Sequence, residues 1–235
     1  MTDTPERALV VMAHPDDADF SCAGTVALWT DAGTEVVYLM VTDGEAGGDE
    51  LTLDSAEIGA MRRGEQRRAA AEVGVKDVRF LGYPDGRVEA TLDLRRDISR
   101  VIRQVRPQRV IIPSPERDWD SVAASHPDHM ATGEAAMNAV FPDARNPHAH
   151  RELLAEEGLA PWTVPEVWVI GGPGHHTDIT EVFERKVAAL AAHESQISDI
   201  AELEPMLREW MGANAAGAGL PEGSLAEVFR VVNTA

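Results

Sequence analysis

Four short runs are apolar at nearly every position: Leu9-Val10-Val11-Met12, Glu35 to Thr42, Val78-Arg79-Phe80-Leu81 and Val110-Ile111-Ile112. A strand buried on one face alternates apolar with polar residues, whereas a continuously apolar run needs cover on both faces. The segments between these runs are long enough to supply that cover. One ends at Gly33, a second has helical patterning from Ala56 to Val73 and stops at Gly74, and a third runs from Leu92 to Val105 before Pro107. Strand and helix alternating in this way predict an α/β protein: a Rossmann-like, doubly wound, mostly parallel sheet with helices on both faces.

Beyond the fourth run, a helix is expected from Pro127 to Val140. Phe141 to Pro165, rich in Pro, His and Arg, reads as a structured loop over the site with one short helix near Glu152. Glu166 to Ile170 reads as a strand, and Gly171-Gly172-Pro173-Gly174 as a loop at its end. Ile179 to His193 reads as an amphipathic helix, Pro205 to Trp210 as part of another before the glycine-rich Gly212 to Gly223, and Glu227 to Val232 as an edge strand. Neither an internal repeat nor a linker is visible, so one domain is expected over residues 1–235.

No run of eighteen apolar residues occurs, which argues against a membrane span. The polar first residues lead into a strand without a cleavage-site pattern, which predicts a cytoplasmic protein. The net charge of −19 opposes the phosphate neutralisation that nucleic-acid binding needs. The expected partner is a small molecule, and the sequence leaves a homo-oligomer open. Cys22 is the only cysteine, so an intramolecular disulfide and a cysteine-rich metal site are both excluded. Any metal must sit on His, Asp or Glu.

Two clusters offer such ligands. Ala13-His14-Pro15-Asp16-Asp17 follows the first strand and Ser125-His126-Pro127-Asp128-His129 follows the fourth, both at the carboxyl edge of the sheet, where open α/β sheets bind ligands. Taken alone, each also fits a capped helix start with surface polar groups. Taken together, His14, Asp17 and His129 supply three ligands to one metal and leave a fourth position open, the pattern of a catalytic zinc site. Zinc suits this His and carboxylate set, and Fe(II) or Mn(II) accepts similar donors. Asp16, beside a ligand, is the expected general base. His126 is expected to polarise a carbonyl, stabilise an oxyanion and protonate a leaving amine, with Asp128 fixing its orientation. Hydrolysis of an amide fits these roles.

The paired AHPDD and HPDH motifs resemble the LmbE-like family of zinc de-N-acetylases, which includes the N-acetylglucosaminylphosphatidylinositol deacetylases. TDGEAG (Thr42 to Gly47), Arg62-Arg63-Gly64-Glu65, LGYPDG (Leu81 to Gly86), PWTVP (Pro161 to Pro165) and KVAALAAHESQ (Lys186 to Gln196) carry the same likeness, which spans most of the chain. The resemblance implies one zinc on His14, Asp17 and His129, with Asp16 as base and His126 as acid. It implies removal of an acetyl group from the nitrogen of an amino sugar or glycoside. It further implies that Arg62 and Asp85 bind substrate polar groups. The chain departs from the family pattern at Asp19, where many members carry Glu, and at Ala124, where mycothiol-pathway members can place an oxyanion-binding tyrosine.

Two other functions compete: an amidase acting on a larger thiol conjugate, and a sensor that binds a sugar or metabolite without turning it over. Asp16 and His126 argue against the sensor, because binding alone needs neither base nor acid. TDGEAG lacks both the GxGxxG and the P-loop patterns, so no nucleotide cofactor is implied. His175-His176 is a poor second metal site, since adjacent residues point apart. His148 and His150 fall in the expected covering loop, and His193 is expected to be structural.

Overall fold

The computed structural model describes residues 4–48, 52–119, 122 and 125–235. Its strands are β1 (Arg7–Met12), β2 (Glu35–Thr42), β3 (Asp77–Tyr83), β4 (Arg109–Ile112), β5 (Glu166–Asp178) and β6 (Ala226–Asn233). Its helices are α1 (Asp17–Ser21), α2 (Ala23–Asp31), α3 (Ser55–Glu72), α4 (Leu92–Val105), α5 (Pro127–Asn138), α6 (Arg151–Ala155), α7 (Phe183–Ala191) and α8 (Ile200–Gly217). The strands form one sheet in the order β3-β2-β1-β4-β5-β6. All pairs are parallel except β5 with β6. This is the doubly wound α/β fold expected from the apolar runs.

The period-two geometry of a strand explains why those runs are apolar throughout. Ala8, Val10 and Met12 of β1 pack with Val26 of α2, Ala69 of α3, Leu190 of α7 and Met211 of α8. Leu9 and Val11 point the other way, into a cluster with Leu94, Ile98 and Ile102 of α4 and Ala135 of α5. The chain leaves β1 toward β2 and β3, then returns to its other side at β4. The winding therefore reverses between β1 and β4, and the segments leaving their carboxyl ends face each other across the crevice where such folds bind ligands.

Three expectations are corrected. β5 does not end at Ile170: it continues to Asp178, paired with β6, through a bulge in which Ile170, Gly171 and His175 all oppose Phe229. Gly171 and Gly172 take positive φ there, and a Cβ on Gly174 would lie 2.5 Å from the Phe229 carbonyl oxygen, so these glycines permit the bulge. The C-terminal helix is longer than the sequence suggested. Asp199 caps it by accepting from the Ala201 and Glu202 amides, and it runs through Gly212 to Gly217 across an alanine-rich stretch whose helix propensity offsets the glycines. Finally, residues 141–165 do not cover the site. Buried Arg103 of α4 donates to the carbonyls of Asp143, Ala144, Asn146 and Ala149 and pins the segment to that helix. His150 pairs with Asp143 at 3.2 Å, and Asp143 with Arg95 of α4 at 2.8 Å.

No helix among the described residues is long and apolar enough to cross a membrane. Ala124 lies outside the described residues.

Candidate active site

Beyond Met12 the chain turns sharply. Asp16 adopts φ 93°, a left-handed conformation that non-glycine residues avoid, and its carbonyl accepts from the Asp19 and Phe20 amides to start α1. The Asp17 carboxylate folds back to accept from the His14 amide at 2.9 Å. On the facing segment, Pro127 occupies the first turn of α5 and His126 caps it, its Nδ1 accepting from the Asp128 amide at 3.2 Å. That amide can only donate, so a neutral His126 carries its proton on Nε2.

The two turns bring three ligand atoms together. His14 Nδ1 is 3.2 Å from His129 Nε2 and 3.5 Å from Asp17 Oδ2, and His129 Nε2 is 3.1 Å from Asp17 Oδ1. Ligands placed at zinc distances around a tetrahedral ion lie about 3.3 Å apart, so these residues fit a divalent metal without backbone movement. His14, His126 and His129 form an overlapping group of potential ligands, as do His14, Asp85 and Asp128. The second belongs to the other edge of the His14 ring: Asp85 Oδ1 and Asp128 Oδ2 lie 3.0 and 3.2 Å from Nε2. Carboxylates there orient a ligating imidazole and raise its basicity.

The electrostatics match this geometry. Burial lowers the pKa of His14, but hydrogen bonds and charge from Asp17 and Asp85 overcome it and carry the imidazole up to about 10. The pocket is thus complementary to a cation. Burial raises the Asp17 carboxyl, yet hydrogen bonds from His129 and His14 hold it well below the ordinary range. Asp16 moves the other way, to about 7, because burial and the Asp17 charge outweigh the pull of Arg62, His193 and His14. Burial and the neighbouring His14 and His129 lower the pKa of His126.

The sequence-predicted residues converge, but three have partners that differ from those expected. Asp128 holds His126 through its backbone amide and not, as expected, through its carboxylate. Its carboxylate accepts from the Gly86 and Val88 amides and lies on His14, because residues two apart in a helical turn face different ways. Asp85 is occupied by His14 and by the Ala46 amide, at 3.0 Å each. Burial raises the Asp85 carboxyl, but its hydrogen bond to His14 outweighs that and leaves it below its ordinary value. Arg62 is only 4% exposed and donates to the Gly44 and Pro15 carbonyls and to Asp16 Oδ2. Both Arg62 and Asp85 thus have protein partners at the positions where the sequence predicted substrate contacts. A Cβ on Gly44 or Gly47 would come within 2.6 or 2.2 Å of the Arg62 guanidinium, which accounts for the glycines of TDGEAG.

Asp17 and His129 also line a cavity of about 720 Å³. Phe20, Arg230, the Gly171-Gly172 bulge and Trp210, which is 45% exposed, contribute other parts of its wall. Sequence reasoning missed all of these. No residue of 141–165 lines the cavity, His175 packs on Trp168 with ring centroids 4.7 Å apart, and His193 is buried against Asp19 at 2.8 Å.

The model of the GlcNAc-PI de-N-acetylase (PIG-L) family matches residues 9–140, which include His14, Asp17 and His129. The chain belongs to this family. It is 35% identical to the diacetylchitobiose deacetylase of Thermococcus kodakarensis, over 86% of this chain and 75% of the relative. It is 34% identical to a probable N-acetyl-alpha-D-glucosaminyl L-malate deacetylase 2 of Bacillus cereus, over 83% of this chain and 86% of the relative. Among solved structures, the N,N'-diacetylchitobiose deacetylase of Pyrococcus horikoshii superposes with a TM-score of 0.88 at 30% identity, covering 97% of this chain and 84% of that one. The PIG-L match stops before β5, so Gly171, Gly172, Trp210 and Arg230 of the cavity wall lie outside it.

Proposed function

We propose that the protein is a metal-dependent N-deacetylase that hydrolyses the acetamido group of an N-acetylated amino sugar or its glycoside, with zinc as the ion. The observation that carries this reading is the triangle of His14 Nδ1, Asp17 and His129 Nε2, 3.1 to 3.5 Å on a side, with Asp16 beside it and His126 at its edge. The names of the relatives, deacetylases of N-acetylglucosamine-containing glycosides, support the substrate class. Fe(II) or Mn(II) accepts the same donors.

His14, Asp17 and His129 would hold a divalent ion, which would supply Lewis acidity toward water and the acetyl carbonyl. Asp16, raised by burial toward neutrality, takes a proton from the attacking water. The Nε2–H of His126 donates to the carbonyl oxygen as negative charge develops there. The carbon–nitrogen bond then breaks, a proton passes to the departing amine, and acetate and the free amino sugar leave. Asp85 and Asp128 keep His14 Nδ1 turned toward Asp17 and His129 through both steps.

The test is release of primary amine by the zinc-loaded protein from N-acetylglucosamine, N,N'-diacetylchitobiose and N-acetylglucosaminides of malate and inositol. Amine should appear from at least one and stop on chelation. A fully loaded protein that releases none, or a rate indifferent to chelation, would overturn the reading.

A further inference from the structure

Asp16 poses a question that its proposed role as base does not answer. Its left-handed backbone is unfavourable for an L-residue, so the surroundings must enforce it. The carbonyl of Asp16 is bound by α1 and one carboxylate oxygen by Arg62. The amide is bound by Gln66, whose Oε1 accepts from it at 2.8 Å. Arg62 and Gln66 stand one helical turn apart on α3 and so share the face that meets this turn.

Gln66 is itself fixed. Its Nε2 donates to Asp19 Oδ2 at 2.8 Å, and the same oxygen lies 2.8 Å from His193 Nε2. The Asp16 amide can only donate and a carboxylate can only accept, so the Gln66 amide has one possible orientation. Gln66, Asp19 and His193 are all fully buried. An Asp–His pair enclosed in this way is weak evidence for stability, since well-packed apolar residues often serve as well. It does impose a single geometry on the amide that holds Asp16.

We propose that Gln66, braced by the buried Asp19–His193 pair, is a positioning residue that holds Asp16 in its left-handed conformation, so that its carboxylate diverges from that of Asp17 and stays free of the metal. The role rests on Asp16 being the base. Gln66 touches no reacting atom and acts only through the Asp16 backbone.

With N,N'-diacetylchitobiose as the probe, Gln66→Leu should lower kcat about 10- to 100-fold, the scale of an ångström's misplacement, while KM and a metal content of one per chain are kept. Gln66→Glu retains the acceptor for the Asp16 amide and, protonated beside the buried Asp19 carboxylate, a donor to it, so it should keep most of the activity that Gln66→Leu loses. In an Asp16→Asn background, Gln66→Leu should cost almost nothing more, because both act through one group. Full turnover in Gln66→Leu, or an equal loss in both backgrounds, would refute the positioning role. Wild-type turnover in Asp16→Asn alone would instead refute Asp16 as base. A crystal structure of the Gln66→Leu variant gives a readout independent of substrate: Asp16 should leave positive φ, and finding it still near 93° would count against the proposal.

Discussion

Asp16 and Asp17 are adjacent carboxylates with opposite environments. Asp17 is held ionised by two imidazoles, while Asp16 is buried beside that charge and rises to about 7. A ligand is best permanently charged and a base best poised near the working pH, so the two environments suit the roles proposed for the pair. Asp16→Asn should therefore lower kcat by about 10²- to 10⁴-fold with metal content unchanged; near-normal turnover at full metal loading would remove Asp16 from the role. The triangle of potential ligands was legible in the sequence because Pro15 and Pro127 fix the turns that carry it. The partners of Asp128, Asp85 and Arg62 were not. Asp85 and Arg62 meet His14, Asp16 and backbone carbonyls far away in sequence, and only the fold reveals those pairings. Gln66 left one trace, its position four residues after Arg62 on a helix.

Among the elements, α7 and β6 are tied by Lys186 and Glu227, both with no side-chain exposure and 2.7 Å apart. Lys186 also donates to the Asp19 and Phe20 carbonyls near the end of α1, and Glu227 accepts from the Gly24 and Thr25 amides at the start of α2. Lys186→Met would strand a buried carboxylate and should cost about 3–5 kcal/mol in denaturant unfolding; a loss below about 1 kcal/mol would show that Glu227 finds another partner. At the α4 surface, burial raises the Asp97 carboxyl, but hydrogen bonds from Arg100, Tyr83 and Arg96 more than reverse this and leave it below its ordinary 3.8. A carboxyl depressed on folding contributes stability above its unfolded value and loses it as pH falls through the folded one. Asp97→Asn should thus flatten the acid side of the stability–pH curve below about pH 4, and an unchanged slope there would contradict the assignment. The strands, α3 and α4 were readable from apolar runs and glycine stops. The same reliance on glycine as a stop shortened β5 and α8, where packing and pairing overrode it.

At the scale of the whole molecule, the reversal of winding between β1 and β4 makes two short motifs, whose His14 and His129 stand 115 residues apart in sequence, into one site. The doubly wound order was implicit in the alternation of elements, but the cavity was not, because its wall draws on β5, α8 and β6. Those elements lie beyond the PIG-L match, so the candidate metal ligands fall inside the matched residues and much of the cavity wall outside them. Trp210→Ala should raise KM about fivefold or more, the worth of one aromatic contact, and leave metal content alone. An unchanged KM would exclude Trp210 from the substrate-binding wall.

Metal-dependent turnover at the His14, Asp17 and His129 triangle is the property on which every proposed role depends. The decisive measurement titrates zinc into chelated protein while following deacetylation and bound metal together, in the wild type and in His129→Ala. Wild-type turnover should rise with zinc and saturate at one equivalent per chain, whereas His129→Ala should neither retain the ion tightly nor turn over. Full turnover before any zinc is added, or a tight equivalent retained by His129→Ala, would rule out this triangle as the catalytic metal site.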